Sequence, residues 1–144
     1  MIAAGAKYVI VTEEEDVVAE VMKITDAQGA SVVFDPIGGP DFLKLMEALA
    51  IEGTAYLCGT LSEQVTPLPG IEFVADSKTV KGHNIWKTSG DPVRQKTAVE
   101  YIKQGLAREQ LNPVIDRVFT FGEIVEVHRY LETNGHFGKI VVTV

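Results

Sequence analysis

Short β-branched runs alternate with segments of helical hydrophobic spacing along this chain, and this alternation limits its possible folds more than any other feature. The run at residues 31–35 (SVVFD) is apolar on both faces, which is typical of a strand buried in a parallel sheet. Strands are predicted at residues 8–11, 31–35, 53–58, 79–85, 113–119 and 139–144. With helices between them, the pattern predicts an α/β fold built on a parallel sheet.

The intervening helices are indicated by apolar side chains that recur every three or four residues. Thr12 and Glu15 have the spacing of a capping box, which predicts a helix start, and Thr120 repeats that spacing with Glu123. At residues 91–92, an N-cap aspartate precedes a proline at the first helical position. The predicted apolar stripes are Val17, Val18, Val21 and Met22; Phe42, Leu45, Met46 and Leu49; Val99, Ile102 and Leu106; and Ile124, Val127 and Leu131.

Composition excludes several classes of function. The 144 residues carry a net charge of −7, which disfavours nucleic acid as a partner because phosphate contacts require a basic surface. Membrane partners are also not expected, since no apolar run approaches the ~20 residues of a spanning helix. The single cysteine, Cys58, cannot form an internal disulfide, so we expect a reducing, cytoplasmic compartment.

Side chains suited to catalysis or metal binding are sparse. His83, His128 and His136 share no metal-ligand spacing with one another or with Cys58, so no metal site is predicted. We expect Cys58 to be a buried and inert strand thiol, because no basic residue adjoins it. No pair of residues is arranged for acid–base chemistry, and no catalytic residue is predicted.

Glycine-containing turns after the predicted strands are the best candidates for ligand binding. In an open parallel sheet, ligands bind at the carboxyl ends of the strands. Such ends occur at residues 35–39 (DPIGG), 58–62 (CGTLS) and 83–85 (HNI). Glycine allows a backbone to approach a cofactor closely, but ordinary βα turns have the same composition, so both interpretations are open at this point.

The order of these segments resembles that of a known family. GAKYVIVTEEED, SVVFDPIGG, ALAIEGTAYLCGTLS and KTVKGHN occur in that order, and the chain closes on LNPVIDRVFTFGEIVEVHRYLETNGHFGKIVVTV. Together they resemble the medium-chain dehydrogenase/reductase superfamily, in particular its zinc-independent quinone oxidoreductase branch. The resemblance implies an incomplete Rossmann-type, doubly wound parallel sheet that lacks the first two strands and the G-x-G-x-x-G loop. Residues 1–112 would form a partial nucleotide-binding domain, and residues 113–144 a strand-helix-strand segment of the catalytic domain.

The resemblance also implies a cofactor site. NADP is the implied cofactor, with NAD as the alternative and no metal, and the hydride would come from the nicotinamide. Residues 58–62 correspond to the loop beside the nicotinamide, and residues 83–85 to the segment whose backbone faces its amide group. A side chain at Gly59 would then project toward the nicotinamide ring. The implied cofactor-binding residues are Gly38, Cys58, Gly59, Thr60, Leu61, His83, Asn84, Ile85 and His136.

The function that the resemblance implies is that of a longer protein. The chain would be the C-terminal fragment of an NAD(P)H-dependent reductase of quinones, enones or related carbonyl compounds. Without the pyrophosphate-binding loop the fragment itself would be inactive, whether it is a cloned piece or a truncated reading frame. The alternative is a non-catalytic dimerising or nucleotide-binding module. A homodimer is expected, since residues 79–85 correspond to the strand that family dimers pair across a two-fold axis.

Overall fold

The computed structural model describes residues 1–133 and 135–144. These described residues form two compact units, Met1–Lys87 and Thr88–Val144. In the first unit, all of whose residues are described, three strands form one parallel sheet. In chain order, the helices and strands up to residue 89 are α1 (Val17–Ile24), β1 (Ala30–Asp35), α2 (Phe42–Glu47), β2 (Leu49–Leu57), α3 (Gly70–Ala75), β3 (Thr79–Gly82) and α4 (Trp86–Ser89).

One face of this sheet packs on α2 and forms the core of the first unit. Phe42 and Met46 of α2 and Leu49 and Ala55 of β2 are almost fully buried. The side chains that pack around them are Val33, Leu45, Leu57, Phe73 and Val80. Because Val33, Ala55 and Val80 are register partners, they point to the same face of the pleated sheet. The predicted α/β fold with a parallel sheet is confirmed.

Helix α1 begins one turn later than the sequence predicts. The carboxylate of Asp16 accepts hydrogen bonds from the backbone N–H groups two and three residues further on, at 2.9 and 3.1 Å, and so caps the helix. Glu15 instead accepts from the backbone N–H of Val11, at 2.6 Å. The predicted capping box at Thr12 and Glu15 is therefore wrong, because the aspartate that directly precedes the apolar stripe caps the helix.

Residues 8–11 are irregular, so the prediction of a strand there is wrong. A strand is held by the ladder of hydrogen bonds to its neighbour. Within the described chain, no backbone hydrogen bond joins this segment to β1. Its β-branched composition indicates a preference for a half-buried pleated surface, and that preference has no effect without a partner strand.

The boundary between α2 and β2 also differs from the prediction. Leu49, predicted to be helical, is the first residue of β2, so this strand begins well before residue 53. The ammonium group of Lys78 donates to the carbonyl oxygen of Met46 at the end of α2, at 2.9 Å, and pairs with Asp76 at 3.0 Å. Apolar spacing did not reveal the boundary because Leu49 is a core residue in either element.

The second unit combines helices with a two-stranded parallel sheet within its described residues. Its elements are α5 (Pro92–Ala107), β4 (Ile115–Thr120), α6 (Ile124–Glu132) and β5 (Lys139–Thr143). No helix in the described parts of the chain has both the length and the apolar composition needed to cross a bilayer.

In the second unit, the helix starts predicted from local sequence agree with the structure. Asp91 caps α5 by accepting from the backbone N–H groups of Val93 and Arg94, and a proline occupies the first helical position. The capping box of Thr120 and Glu123 is present and opens the 3₁₀ turn that leads into α6. Both predicted helix starts are confirmed, because each depends on residues only a few positions apart.

Candidate functional site

The carboxyl ends of the parallel strands lie side by side. Asp35 at the end of β1 is the register partner of Leu57 in β2, and Leu57 is the partner of Gly82 in β3. Adjacent strands are about 4.8 Å apart, so the segments that follow these residues leave the sheet as close neighbours. The structure therefore brings together the predicted site segments at residues 35–39, 58–62 and 83–85.

The turn after β1 is held by the side chain of Asp35. This aspartate is only 4% exposed, and its carboxylate accepts from the backbone N–H groups of Ile37 and Gly38, at 2.8 and 2.9 Å. Gly38 has a φ of +67°, and a Cβ there would lie 2.7 Å from Oγ1 of Thr66. Gly38 thus shapes the turn, and its N–H serves Asp35 instead of a ligand.

The loop after β2 is joined to that turn by backbone hydrogen bonds. Cys58, Leu61 and Ser62 donate to the carbonyl groups of residues 35, 36 and 37, at 2.8, 3.2 and 2.8 Å. Between them, the N–H groups of Gly59 and Thr60 have no acceptor within the described parts of the chain. These adjacent donors at the strand end can therefore serve a ligand.

Two expectations about this loop are wrong. Cys58 lies beyond the end of β2 and is exposed, not buried within a strand. A Cβ on Gly59 would lie 2.5 Å from the carbonyl oxygen of Pro36. A side chain at this position would therefore project into the turn after β1, and not toward a nicotinamide ring bound outside these loops. Glycine is required at position 59 because two backbones approach each other there.

The segment after β3 begins earlier than predicted, because the strand ends at Gly82 instead of continuing to residue 85. His83 extends the ladder with one further bond, from its N–H to the carbonyl oxygen of Leu57, at 2.9 Å. The side-chain oxygen of Asn84 accepts from the N–H of Trp86 and so begins α4. His83, Asn84 and Ile85 are exposed beside the loop after β2.

The roles of two residues that organise these loops are not predicted from the sequence. Asp35 accepts hydrogen bonds from N–H groups two and three positions further on, and an aspartate beside a Pro-containing turn is a recognisable signal of such a bond. Thr66 accepts from the N–H of Gly39 at 2.8 Å across 27 positions of sequence. No local pattern could have revealed the second contact.

A cleft of 870 Å³ adjoins the turn after β1, and its volume is in the range of small-molecule sites. Its walls are the segment before α1, the first turn of α1, the turn itself and α2. Lys44 pairs with Asp41 at 2.9 Å, and this hydrogen bond raises the pKa of the lysine. The carboxylates that line the cleft, counted over the described residues, are Glu13, Glu15, Asp16, Asp35, Asp41 and Glu47.

His136, the remaining predicted site residue, belongs to the second unit. Its Nδ1 atom is buried and has no hydrogen-bond partner among the described residues, and its ring centroid is 6.2 Å from that of Tyr130. Tyr130 donates its hydroxyl to Asp116 at 2.6 Å, and the N–H of Phe137 donates to the same carboxylate at 3.2 Å. The bond from Tyr130 lowers the pKa of Asp116 and raises the pKa of the tyrosine.

Residues 4–142 match the sequence profile of the zinc-binding dehydrogenase family. The chain belongs to that family. The match covers nearly the whole chain and confirms the resemblance predicted from its motifs.

Curated relatives of the chain are longer than the chain itself. The L-threonine 3-dehydrogenase of Pyrococcus horikoshii is 30% identical over 141 residues, which cover 95% of this chain and 38% of the relative. The quinone oxidoreductase-like protein 2 homolog of Nematostella vectensis is 24% identical, over 96% of this chain and 38% of the relative. The chain thus spans 38% of the length of either protein.

Solved structures of other proteins share the fold. An NAD-dependent alcohol dehydrogenase superposes with a TM-score of 0.85 at 25% identity, covering 99% of this chain and 39% of that one. A mycobacterial protein complexed with NADPH has a TM-score of 0.85 at 20% identity, covering 99% of this chain and 45% of that one. The predicted partial Rossmann-type fold is confirmed.

Zinc is the metal that the family description implies. Tightly held zinc has at least three protein ligands. Within residues 1–133 and 135–144, no three His, Cys, Asp or Glu side chains are placed to hold a metal ion. Zinc therefore does not fit these residues, and no chemical step of this chain is assigned to it.

Proposed function

We propose that this chain is the C-terminal, nicotinamide-facing portion of an NAD(P)H-dependent oxidoreductase that reduces quinones, enones or related carbonyl compounds. The observation that carries the proposal is the pair of N–H donors at Gly59 and Thr60, which have no acceptor within the described residues and lie where the carboxyl ends of β2 and β3 are adjacent. Relatives named as dehydrogenases and as a quinone oxidoreductase-like protein support the reaction class.

The roles of the residues follow from the groups they present. The N–H groups of Gly59 and Thr60 would donate to the carboxamide oxygen of the nicotinamide. Leu61, which is 74% exposed, and Ile85, which is 59% exposed, would pack against its ring and exclude water. The bound cofactor supplies the hydride, and the protein supplies binding and orientation. We assign no proton-transferring role to Cys58 or His83.

The 144 residues contain no G-x-G-x-x-G loop, so the charged pyrophosphate lacks its usual backbone donors. We propose that the chain alone binds nicotinamide nucleotides only in the millimolar range, about −4 kcal/mol, and does not turn over. We also propose a cytoplasmic location and a homodimer that pairs the exposed edge of β3.

The proposed donors can be tested by NMR titration of the chain with nicotinamide mononucleotide. The backbone resonances of Gly59 and Thr60 should shift with a millimolar midpoint. Thr60→Pro removes one N–H and should weaken binding about fivefold, the equivalent of one net hydrogen bond. Thr60→Ala retains the N–H and should bind as the original chain does.

Two results would contradict this proposal. One is a titration in which resonances of residues 58–62 and 83–85 do not move. The other is equal binding by Thr60→Pro and Thr60→Ala, provided that both variants melt at the temperature of the original chain. The alternative, a non-catalytic module, predicts the same nucleotide contacts without reductase activity after the missing segments are restored.

A further inference from the structure

The outer edge of β1 has no partner strand among the described residues. β1 is the first strand in the order of its sheet and pairs with β2 on one side only. Natural sheets commonly protect such an edge with lysine or proline, and residues 31–34 contain neither. Ser31, Val32 and Phe34 are exposed. An apolar edge of this kind can pair with an added strand.

Residues 7–10 (KYVI) form an exposed segment of strand-forming composition without a partner. Their backbone N–H and carbonyl groups form no hydrogen bond within the described chain. The next residue is fixed differently, because the carbonyl oxygen of Val11 accepts from the N–H groups of Glu14 and Glu15 at 2.9 and 2.8 Å. Four residues with unpaired backbone groups therefore precede the turn that leads into α1.

Charge favours one direction of pairing between this segment and β1. The carboxyl end of β1 adjoins the cleft whose lining includes Glu13, Asp41 and Glu47. Within one chain, α1 would connect the two strands as a parallel crossover, which would bring the acidic run after Val11 toward that acidic end. A strand from a second copy can run antiparallel and bring Lys7 there instead. Lys7 has no ion pair within the described residues.

We propose that the outer edge of β1 binds residues 7–10 of a second copy of this chain as an antiparallel strand. Hydrogen bonds between the two backbones would hold the added strand, as in other cases of strand addition to a sheet edge. Phe34 stacks on Tyr56 of the neighbouring strand, with ring centroids 5.0 Å apart. Tyr8 of the second copy would extend this aromatic row, since side chains on one face of adjacent strands contact each other.

Amide hydrogen exchange of the full chain, followed by NMR at low and at millimolar concentration, tests the contact. If the contact has a dissociation constant of roughly 1 mM, exchange at residues 7–10 and 31–35 should slow about twofold at about 1 mM chain. The N–H groups that slow should be those directed to the shared edge. Exchange at residues 79–82 reports separately on the proposed dimer through β3, so the two contacts can succeed or fail independently.

Two proline variants test for pairing of the backbone. Consecutive residues of a strand direct their N–H groups to opposite sides, so only one of Val9 and Ile10 can donate to β1. Val9→Pro and Ile10→Pro should therefore differ: one should abolish the dependence on concentration, and the other, with its proline directed outward, should retain it. Neither N–H is hydrogen-bonded within the described chain, so both variants should melt as the original chain does.

A charge-reversal pair tests the direction of the added strand. Lys7→Glu should weaken the contact about fivefold, a change of the size of one charge interaction near a surface. Lys96→Glu makes the same change of charge at an exposed lysine of α5 and should leave the contact as it is in the original chain.

Four results would overturn the proposal. Slower exchange at residues 31–35 with unchanged exchange at residues 7–10 would assign the edge to a different segment of the second copy. Slower exchange that does not depend on concentration would place the pairing within one chain. The other two are unchanged exchange at both segments and equal effects of the two proline variants.

Discussion

The ammonium group of Lys78 lies 2.9 Å from the carbonyl oxygen of Met46 and donates a hydrogen bond to it. This lysine directly precedes β3, and Met46 lies in the last turn of α2, so one side chain connects the helix to the strand. Its side chain is 4% exposed and its charge is balanced by Asp76. A buried cation placed in this way also complements the negative end of the helix dipole.

Replacing this lysine should destabilise the first unit. Lys78→Met keeps much of the side-chain volume but leaves the Met46 carbonyl and Asp76 without a partner, which should lower the free energy of unfolding by about 1–3 kcal/mol. Urea denaturation followed by circular dichroism measures the loss. Lys87→Met, at an exposed lysine, is the control. Equal stability of the two variants would show that the buried bond contributes nothing.

A side chain at Gly59 should destabilise the first unit, because two backbone segments approach each other closely there. Gly59→Ala would bring a Cβ to 2.5 Å from the carbonyl oxygen of Pro36, so the turn or the loop must shift, at a cost of about 1–3 kcal/mol of stability. Gly82→Ala is the control, since a Cβ there has no atom within 4 Å. Thermal melting compares the variants, and a Gly59→Ala variant as stable as Gly82→Ala would contradict the close approach.

The pair of Asp116 and Tyr130 should give the second unit a pH dependence. The pKa of Asp116 is lowered in the folded chain, chiefly by the hydrogen bond from Tyr130, so its stabilising contribution is present above the unfolded pKa and is lost as pH falls through the folded pKa. The pKa of Tyr130 is raised, so its contribution is lost as pH rises through the folded value.

Tyr130→Phe should therefore flatten the stability profile at both its acidic and its alkaline ends. Melting temperatures measured across the pH range provide the comparison. Tyr101→Phe, at a tyrosine that is 74% exposed on α5, is the control and should keep the profile of the original chain. If both variants respond to pH alike, the hydrogen bond to Asp116 is not the cause.

The purified chain should not oxidise NADH or NADPH in the presence of quinones. It lacks the G-x-G-x-x-G loop, so the pyrophosphate has no cluster of backbone donors to hold it. Loss of absorbance by the reduced nicotinamide, followed with several quinones and enones, is the assay. Sustained oxidation that scales with the concentration of pure chain would refute the view that this part is inactive alone.

Self-association should occur in solution. β3 is an edge strand of its sheet, and the outer row of its backbone groups can pair with the same strand of a second copy about a two-fold axis. Light scattering at micromolar concentration should give a mass of about two chains, in keeping with an isologous interface. A mass of 15.7 kDa, that of one chain, at every concentration would exclude the dimer.

Features set by neighbouring residues could be predicted from the sequence. The cap at Asp91 and the capping box at Thr120 each join groups two or three residues apart, and both are present. The predicted strand at residues 8–11 fails because a strand depends on a partner, which composition does not supply. Leu49 is predicted to be helical but lies in β2, because a buried apolar side chain suits the core face of a helix and of a strand equally well.

The position of the candidate loops follows from a general rule of sheet topology. Ligands bind at the carboxyl ends of parallel strands, and the register of β2 and β3 places the predicted loops at residues 58–62 and 83–85 side by side. The rule did not locate the cleft beside the turn after β1, because the lining residues Glu13 and Glu47 are 34 positions apart and reach the same cleft through the packing of α1 on α2. The spacing of Thr12 and Glu15 predicts a helix start, which is a local explanation of the acidic residues in this segment.

The hydrogen bonds between the turn after β1 and the loop after β2 also affect the thermodynamics of any ligand that binds above them. Residues 58–62 are fixed to residues 35–37 by bonds that the chain forms with itself. The surface is preorganised, so a ligand does not have to order these loops when it binds. Its calorimetric entropy should then report the release of water and the loss of the ligand's own freedom, with a heat-capacity change too small for coupled folding.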